Sequence, residues 1–359
     1  MSVQILDTAN YLWSKTLKQI RHDVYDLPHF INLEAQRTKT FPEAILIQEG
    51  DKLFFLPYML RRINDLFSEE LEPPEWFDVI TPNGYAGILC NEAAANDQGF
   101  LESAMNQLLA VWRSKNICSA FIRLHPILNQ GLEKIYSPNI CQQTGETVYV
   151  DLRLSEDDIW SQTRSDHRKD INRHKRNGLT AKMLPFEQHI DEFNSIYEEV
   201  MDRVGATPYY YFGHDYFVEY SKLGNKVNFC VVEIDDQIAS ACIFTECCGI
   251  VQSYLSGTKN KFLKQSPDKL IFDYVRFWAK ERGNEFLHLG GGLGSAKDNL
   301  YNFKAGFSKS STPFMTMRLN VDAEKYDCLV QLRAKALNID PEQFLKSNYF
   351  PAYRSPINN

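Results

Sequence analysis

The sequence predicts a mixed α+β fold built from two tandem domains of similar architecture. With 359 residues, of which 44% are hydrophobic, the chain is long enough for two domains of about 150 to 200 residues, each with its own core. One order of elements, a hairpin followed by a helix and a strand, occurs twice at a spacing of roughly 170 to 180 residues. We therefore expect each domain to contain a mixed, mostly antiparallel sheet flanked by helices. The alternative of two generic α+β units stays open.

The first copy of this pattern begins with a β-hairpin. Residues 44–63 form two apolar, β-rich runs on either side of Gly50 and Asp51, a pair suited to a tight turn. Apolar residues at helical spacing within 101–112 predict a helix. The apolar run 117–124 predicts the strand that follows it.

The second copy repeats the order with different residues. Two strands are predicted around Asp235 and Asp236, and a third covers 250–255. A helix follows, with Ser266 predicted as its N-terminal cap and Gly283 as its end. The next strand comes directly after that glycine.

The domain boundary is predicted near Val150, where a strand pattern precedes a helix with acidic residues in its first turn. The N-terminal domain is then 1–150, and the C-terminal domain is 151–314. The last segment, 315–359, adds one strand and one helix, and we expect it to complete the first domain.

Charge and composition exclude several classes of protein. The formal net charge of −7 argues against a protein that coats nucleic acid non-specifically. The first residues show no apolar leader, and no segment approaches about 18 consecutive apolar residues. We therefore expect a cytoplasmic protein without a membrane span. Because a two-domain chain can form a complete site by itself, we expect a monomer.

The eight cysteines show no CxxC pair and no histidine at metal-ligand spacing. We interpret most of them as small buried apolar residues, and we expect no metal site.

The stretch HLGGGLGSAKDNLYNFKAGFS, residues 288–308, does not fit the known nucleotide-binding loops. A Walker loop needs Ser or Thr after its lysine, whereas Lys297 is followed by Asp298. The glycines also lack the GxGxxG spacing of a Rossmann fold. Glycines after a strand let the backbone splay or approach a ligand closely. We therefore expect an open sheet edge that a substrate can reach.

Lys304 is the candidate catalytic residue of this stretch. It lies between Phe303 and Ala305, and a lysine beside aromatic groups can be a partly desolvated cation directed at developing negative charge. The alternative is an ordinary solvated lysine.

A cationic segment precedes this region in the chain. Residues 164–176 contain six Lys or Arg and two His, opposed only by Asp166 and Asp170. Such a face can attract a phosphate-rich ligand, although charge runs are often simply solvated.

Several motifs in this order resemble the FemABX-like branch of the GNAT acyltransferase superfamily. They are the strand with its glycine run, YNFKAGF, SDHRKDINRHKRNG, DVYDLPHF, EGDKLFFLPYMLRRI, TPNGYAGIL and the ending NYFPAYR. The resemblance covers most of the chain, from Asp23 to Tyr353.

This resemblance implies two tandem GNAT-like domains, with the transferase site in the second. Fem enzymes transfer an amino acid from aminoacyl-tRNA to an amine of a peptidoglycan precursor. By motif position, Phe303 and Lys304 match the Phe-Lys pair of the family, whose lysine stabilises the tetrahedral intermediate. Arg203 matches the arginine that contacts the phosphate of the substrate.

The candidate residues fall into three groups. Those assigned to catalysis are Lys304, Phe303 and Tyr254. Those assigned to acceptor binding are Arg203, Tyr209, Tyr211, Gly291, Gly292 and Asn302. Those assigned to the donor or its phosphates are Arg168, Arg173, Lys175 and Ser266. No general base stands out, since Asp273, Asp298 and His288 have no distinguishing partner in the sequence.

The donor and the function class stay open. Residues 256–273 lack the Gly-x-Gly/Ala turn that binds the pyrophosphate of acyl-CoA in ordinary GNAT enzymes, so the donor is acyl-CoA or aminoacyl-tRNA, used as a cosubstrate, and no cofactor is bound. The expected acceptor is a small molecule or nucleotide-sugar-like precursor. One alternative is a catalytically silent GNAT-like protein that binds a phosphate-bearing ligand. Another is a general RNA-binding protein, which predicts steep salt dependence.

Overall fold

The computed structural model describes residues 1–67, 75–129, 131, 137–347 and 349–356. The chain forms two compact units. Unit 1 comprises Met1–Thr144 and Met315–Asn359, and unit 2 comprises Gly145–Phe314. Asn348 of the ending NYFPAYR lies outside the described residues, as do 357–359 of the segment predicted to complete the first domain.

Unit 1 contains a mixed sheet. Its strands are β1 (Ser2–Leu6), β2 (Phe41–Glu49), β3 (Lys52–Arg62), β4 (Phe77–Ile80), β5 (Leu89–Cys90), β6 (Ile117–Arg123) and β13 (Ser311–Asn320), which begins at the end of unit 2. The order is β1-β2-β3-β4-β6-β13, with β5 paired to β3. Only the β4–β6 pair is parallel among these strands. The β2–β3 hairpin turns at Gly50, which has the positive φ of 60° that favours glycine, as the sequence predicts.

Six helices accompany the described strands of unit 1. They are α1 (Tyr11–Leu17), α2 (Pro28–Thr38), α3 (Glu92–Ala95), α4 (Gln98–Ser114), α11 (Ala323–Leu337) and α12 (Pro341–Lys346). The α4 helix begins because the Asp97 side chain accepts a hydrogen bond from the backbone N–H of Phe100. Its apolar face includes the fully buried Trp112, which packs edge-on against Tyr58 of β3.

Unit 2 also contains strands of mixed β-sheet. Its strands are β7 (Cys141–Asp151), β8 (Ala181–Leu184), β9 (Val227–Ile234), β10 (Gln237–Cys247), β11 (Ile250–Thr258) and β12 (Phe286–Gly290). The order is β7-β12-β11-β10-β9-β8, and only β11–β12 is parallel among these pairs. The boundary residue Val150 lies within β7.

The described helices of unit 2 pack on both faces of this sheet. They are α5 (Glu156–Ser161), α6 (Ser165–Arg176), α7 (Ile190–Val204), α8 (His214–Ser221), α9 (Asp268–Glu281) and α10 (Asn299–Lys304). Phe193 of α7 and Phe217 of α8 share an aromatic core with Phe229 of β9. Leu270 and Val275 of α9 belong to a different core cluster. The fold class is therefore the predicted one, with two units of mixed sheet and flanking helices.

No helix among the described residues is both long and apolar enough to cross a bilayer. Five of the eight cysteines are buried, while Cys248 and Cys328 are exposed and Cys90 is intermediate.

Candidate functional site

The parallel strands β11 and β12 separate at one end, which opens the sheet of unit 2. They pair only at three positions, from Ile250–Phe286 to Gln252–His288. Strand β11 then continues to Thr258, whereas β12 ends at Gly290. The backbone groups of β11 beyond Gln252 have therefore lost their partner strand on this side.

The glycine run follows β12 at this opening, and its glycines are required by close packing. Gly290 has a φ of 80°, in the left-handed region. A Cβ on Gly291 would lie 2.9 Å from the carbonyl oxygen of Glu146, and one on Gly292 would lie 2.1 Å from that of Ala296. The glycines thus let the loop fold tightly after the strand.

Asp298 closes this loop onto α10. Its Oδ1 accepts from the backbone N–H of Tyr301 at 2.9 Å, which caps α10, and its Oδ2 accepts from that of Leu293 at 3.0 Å. Burial acts to raise the pKa of Asp298, but its hydrogen bonds to backbone N–H groups lower it further, so the pKa lies below its ordinary value.

Lys304 is the last residue of α10, and its ammonium group reaches the opening. Nζ donates a hydrogen bond to the carbonyl oxygen of Gly291 at 2.7 Å. The side chain is only partly accessible, and desolvation lowers the lysine pKa to about 8, although Cys242 and Asp298 act in the opposite direction. The ammonium group is thus held at the splayed strands, away from bulk solvent.

Phe303 lies in an aromatic cluster that fixes α10. Its ring centroid is 5.5 Å from that of Phe272 on α9 and 5.4 Å from that of His167 on α6. The Nε2 of His167 donates to the carbonyl oxygen of Phe303 at 3.0 Å. Phe303 therefore anchors the helix whose last residue is Lys304.

Tyr254 lies on β11 beyond the last paired residue. Its ring stacks on Tyr220 with centroids 4.8 Å apart, and its hydroxyl lies 2.5 Å from that of Tyr216. The stacking orients Tyr254 at the open part of the strand.

Arg203, Tyr209 and Tyr211 lie near the far end of β11. Arg203 is at the end of α7, and its Nη1 donates to the carbonyl oxygen of Thr258 at 3.2 Å. Tyr211 donates its hydroxyl hydrogen to Asp202 at 2.7 Å. Tyr209 is 46% exposed and Tyr211 is 38% exposed, so both rings can contact a ligand.

Asn302 is exposed on α10. Its backbone carbonyl accepts from Nη1 of Arg164 at 2.9 Å, which ties α10 to the residue that precedes α6.

The three cationic residues assigned to the donor differ in their ion-pair partners. Arg173 pairs with Asp170 at 3.0 Å, and Lys175 pairs with Asp273 at 2.6 Å. Arg168 forms no ion pair with any residue in the described part of the chain.

Ser266 is not the cap of α9, which corrects the sequence prediction. The helix begins at Asp268 with Pro267 at the N-cap position, and no side chain caps it. Ser266 adopts a left-handed φ of 53°, and its hydroxyl is directed back to the carbonyl oxygen of Leu263 at 3.5 Å. Its hydroxyl is therefore not available to the helix N–H groups.

One titratable residue at the start of α9 was missed by the sequence analysis. Asp268, the first residue of α9, is partly accessible, and desolvation raises its pKa to about 6. An acid in the first turn of a helix is common, so the sequence alone did not distinguish it.

Comparison with known families finds a match within the second unit. Residues 165–304 match the family model for the acetyltransferase (GNAT) domain. This part of the chain is thus similar to a GNAT acetyltransferase domain. The matched region extends from the start of α6 to Lys304 and covers less than half of the chain.

The fold of the chain matches solved structures over nearly its whole length. The crystal structure of FemX covers 91% of this chain and 99% of its own, with a TM-score of 0.68 and 9% identity. The structure of L-PGS from Bacillus licheniformis covers 92% of this chain and 98% of its own, with a TM-score of 0.56 and 14% identity. No curated protein matches the sequence. At these identities the likeness establishes the fold alone.

Proposed function

We propose that the protein forms an amide by transferring an aminoacyl or acyl group to an amine of a sugar- or peptide-containing acceptor. The observation that carries this proposal is the desolvated Lys304 ammonium at the opening between β11 and β12, hydrogen-bonded to Gly291. Within a GNAT domain, such a cation suits the negative charge of an acyl-transfer intermediate.

The reaction follows from the position of this ammonium group. The acceptor nitrogen attacks the carbonyl carbon of an activated ester or thioester, a C–N bond forms, and the carbonyl oxygen becomes an oxyanion. Lys304 stabilises that oxyanion by a charge-assisted hydrogen bond in a poorly hydrated setting. The intermediate then collapses, the bond to the carrier breaks, and the carrier leaves as an alcohol or thiol.

The start of α9 favours aminoacyl-tRNA over acyl-CoA as the donor. In ordinary GNAT enzymes this place binds pyrophosphate through free backbone N–H groups. Here Asp268 Oδ1 accepts from the backbone N–H of Lys269 at 3.1 Å, and its carboxylate repels a second anion. The donor phosphates would instead contact the unpaired cations of α6, beginning with Arg168. A tRNA donor would place the reaction in the cytoplasm.

The far end of β11 supports binding of a phosphate-bearing acceptor, such as a nucleotide-sugar-linked peptide. Arg203 offers a planar guanidinium for a forked contact with phosphate. The exposed rings of Tyr209 and Tyr211 offer surfaces on which a sugar or base can stack.

The decisive test is the Lys304→Met variant, compared with Lys309→Met as a matched control. Transfer is measured with tRNA charged with radiolabelled amino acids and UDP-N-acetylmuramoyl pentapeptide, and in parallel with acetyl-CoA. We expect Lys304→Met to lower kcat by about 10² to 10³ while ligand binding is kept. The exposed Lys309 should be replaceable without effect.

Two outcomes would contradict the proposal. If Lys304→Met and the wild type had equal kcat, the ammonium group would not stabilise the oxyanion. Binding of the pentapeptide precursor without turnover by the wild type, with every donor, would favour the silent binding protein.

A further inference from the structure

The end of α10 that carries Lys304 is bound by the start of α6. The backbone N–H of Arg164 donates to the carbonyl oxygen of Gly306 at 2.8 Å. Nε2 of His167 donates to the carbonyl oxygen of Phe303 at 3.0 Å. The carbonyl groups of the residue before Lys304 and of the second residue after it are therefore both fixed by α6 and the residue that precedes it.

The imidazole ring of His167 is tightly enclosed at this contact. His167 is only 1% exposed, and its ring centroid lies 5.4 Å from that of Phe303 and 4.7 Å from that of Phe307. A Cβ on Gly306 would lie 2.4 Å from Nε2, so only glycine leaves room for the ring at this distance. A carbonyl oxygen can only accept, so Nε2 carries the hydrogen of the bond to Phe303. The ring is thus held in the orientation that donates to this carbonyl group.

The position of the Phe303 carbonyl group affects where the Lys304 ammonium group lies. Lys304 follows Phe303 directly, and its Nζ donates to the carbonyl oxygen of Gly291 at 2.7 Å. Because α10 has only six residues, it is not stable by itself and depends on contacts at its ends. Asp298 caps its first turn, and His167 binds its last turn. The contact with His167 is therefore the one nearest to the ammonium group.

We propose that His167 is the positioning residue that keeps the Lys304 ammonium group at the site of the developing oxyanion. This assignment rests on the proposed transfer reaction. His167 does not touch the reacting atoms, and it acts through the carbonyl group of Phe303. His167 also directly precedes Arg168, the cation assigned to the donor phosphates. In the proposed reaction, α6 thus contacts the donor and also fixes the group that acts on the donor carbonyl.

The first test replaces His167 and measures kcat and KM with charged tRNA and UDP-N-acetylmuramoyl pentapeptide. His167→Ala removes the donor, so kcat should fall by up to about 10², and by less than in Lys304→Met. KM for both substrates should not change, because an interaction that matters only in the transition state is weakened. The side-chain amide of glutamine can donate the same hydrogen bond, so His167→Gln should recover most of the lost kcat.

A second variant tests the same contact from the other side. In Gly306→Ala the new Cβ displaces the imidazole ring from the Phe303 carbonyl, so kcat should fall as it does in His167→Ala. In the double variant the ring is absent, and Gly306→Ala should therefore add little to the loss caused by His167→Ala. If the two losses multiplied in the double variant, the substitutions would act independently and the inference would be wrong.

The matched control removes a hydrogen bond of the same kind in unit 1. Trp13 is fully buried, and its ring Nε1 donates to the carbonyl oxygen of Asp26 at 2.9 Å. Trp13→Phe and His167→Ala should both lower Tm, which thermal melting measures, and both should still be folded at the assay temperature. Only His167→Ala should lower kcat.

Three outcomes would overturn the inference. One is a folded His167→Ala protein with the wild-type kcat. Another is an equal fall in kcat for Trp13→Phe, which would assign the effect to general loss of stability. The third is a His167→Gln protein as slow as His167→Ala, since lost packing would then explain the result. In each case Lys304→Met would still be slow, whereas an inactive wild type would refute the transfer reaction itself.

Discussion

At the residue scale, the Lys304 ammonium group is held in a setting that disfavours its charge. Its pKa of about 8 lies below the ordinary 10.5, so the folded state binds this proton more weakly than the unfolded state does. The resulting loss of folding stability is fully present below about pH 8, and it disappears as the pH rises toward 10.5. Stability is therefore lost at neutral pH for a charge that the proposed reaction uses.

Replacement of Lys304 by Met should stabilise the fold while it slows transfer. We expect the free energy of unfolding to rise by about 1 to 2 kcal/mol at pH 7, since a desolvated charge is removed and the lost hydrogen bond to Gly291 offsets part of the gain. The gain should shrink at pH 9.5, where the wild-type lysine is neutral in the folded state. Urea unfolding at both pH values measures this, and a Lys304→Met protein less stable than the wild type at pH 7 would contradict it.

The same lysine should set the alkaline limb of the rate profile. Because the ammonium group deprotonates near pH 8, kcat should fall above that value in the wild type. Arginine stays charged at every accessible pH. The Lys304→Arg protein should therefore be slower but show no decline between pH 7 and pH 10. A decline of equal size in both proteins would assign the limb to another group, and kcat measured across this range decides between them.

The sequence could single out Lys304 as a candidate but could not indicate the raised pKa of Asp268, for a physical reason. Lys304 lies in a local pattern of glycines and aromatic residues whose meaning does not depend on distant residues. The elevated pKa of Asp268 arises from burial produced by tertiary packing. The predicted cap at Ser266 was wrong because the residue adopts a left-handed conformation that the cap rules do not include.

At the element scale, α6 is held at both ends by buried histidines. His167 donates to the Phe303 carbonyl at 3.0 Å, and His174 donates to the Gln265 carbonyl at 2.7 Å. Burial lowers the pKa of both histidines, which favours their neutral form. The sequence predicted this segment as a cationic face opposed only by Asp166 and Asp170. It could not show that Lys175 would pair with Asp273, because that carboxylate is about 100 residues away in the chain, whereas Arg173 pairs with Asp170 on the same helix.

The buried ion-pair network of α9 should contribute strongly to stability. Arg276 is fully buried, it pairs with Asp273, and its Nη1 donates to the Thr163 hydroxyl at 2.6 Å. Asp273→Asn should cost about 3 to 5 kcal/mol because a buried guanidinium loses its counter-charge. The double variant Asp273→Leu with Arg276→Met should recover most of that loss. Urea unfolding gives both values.

The matched control for this network is an exposed ion pair. Asp166 pairs with Arg164 at 2.6 Å, and both side chains are about half exposed. Asp166→Asn should cost less than about 1 kcal/mol. If Asp273→Asn lowered the free energy of unfolding by no more than Asp166→Asn, the fold would not depend on the ion pair between Asp273 and Arg276.

At the scale of the whole molecule, the repeated order of elements predicted both units, because hairpins, helices and strands follow from local periodicity. The separation of β11 from β12 could be expected only from the glycine run, whereas its position after Gln252 depends on the sheet register. The GNAT family match and the candidate residues all lie in unit 2.

The distribution of charge over the molecule yields the last prediction. The net charge of −7 should repel tRNA, so productive binding requires a local cationic surface. On α6, the side chains of Arg168, Lys169 and Arg176 form no ion pair with any residue in the described part of the chain. Reversing all three to Glu should weaken tRNA binding by at least tenfold and reduce the slope of log K against log salt by about 2 to 3. Fluorescence anisotropy with labelled tRNA at several salt concentrations measures both quantities.

The control for this charge reversal has the same net charge as the α6 variant, but its substitutions lie elsewhere on the surface. Lys15, Lys18 and Lys335 are exposed in unit 1, and their triple replacement by Glu gives the same net charge as the α6 variant. If tRNA is attracted by the α6 surface, the control should keep most of the wild-type affinity and its salt slope. Equal losses in the two variants would show that net charge alone governs binding. No loss in either variant would show that the donor does not bind through α6, which would leave acyl-CoA as the donor to test.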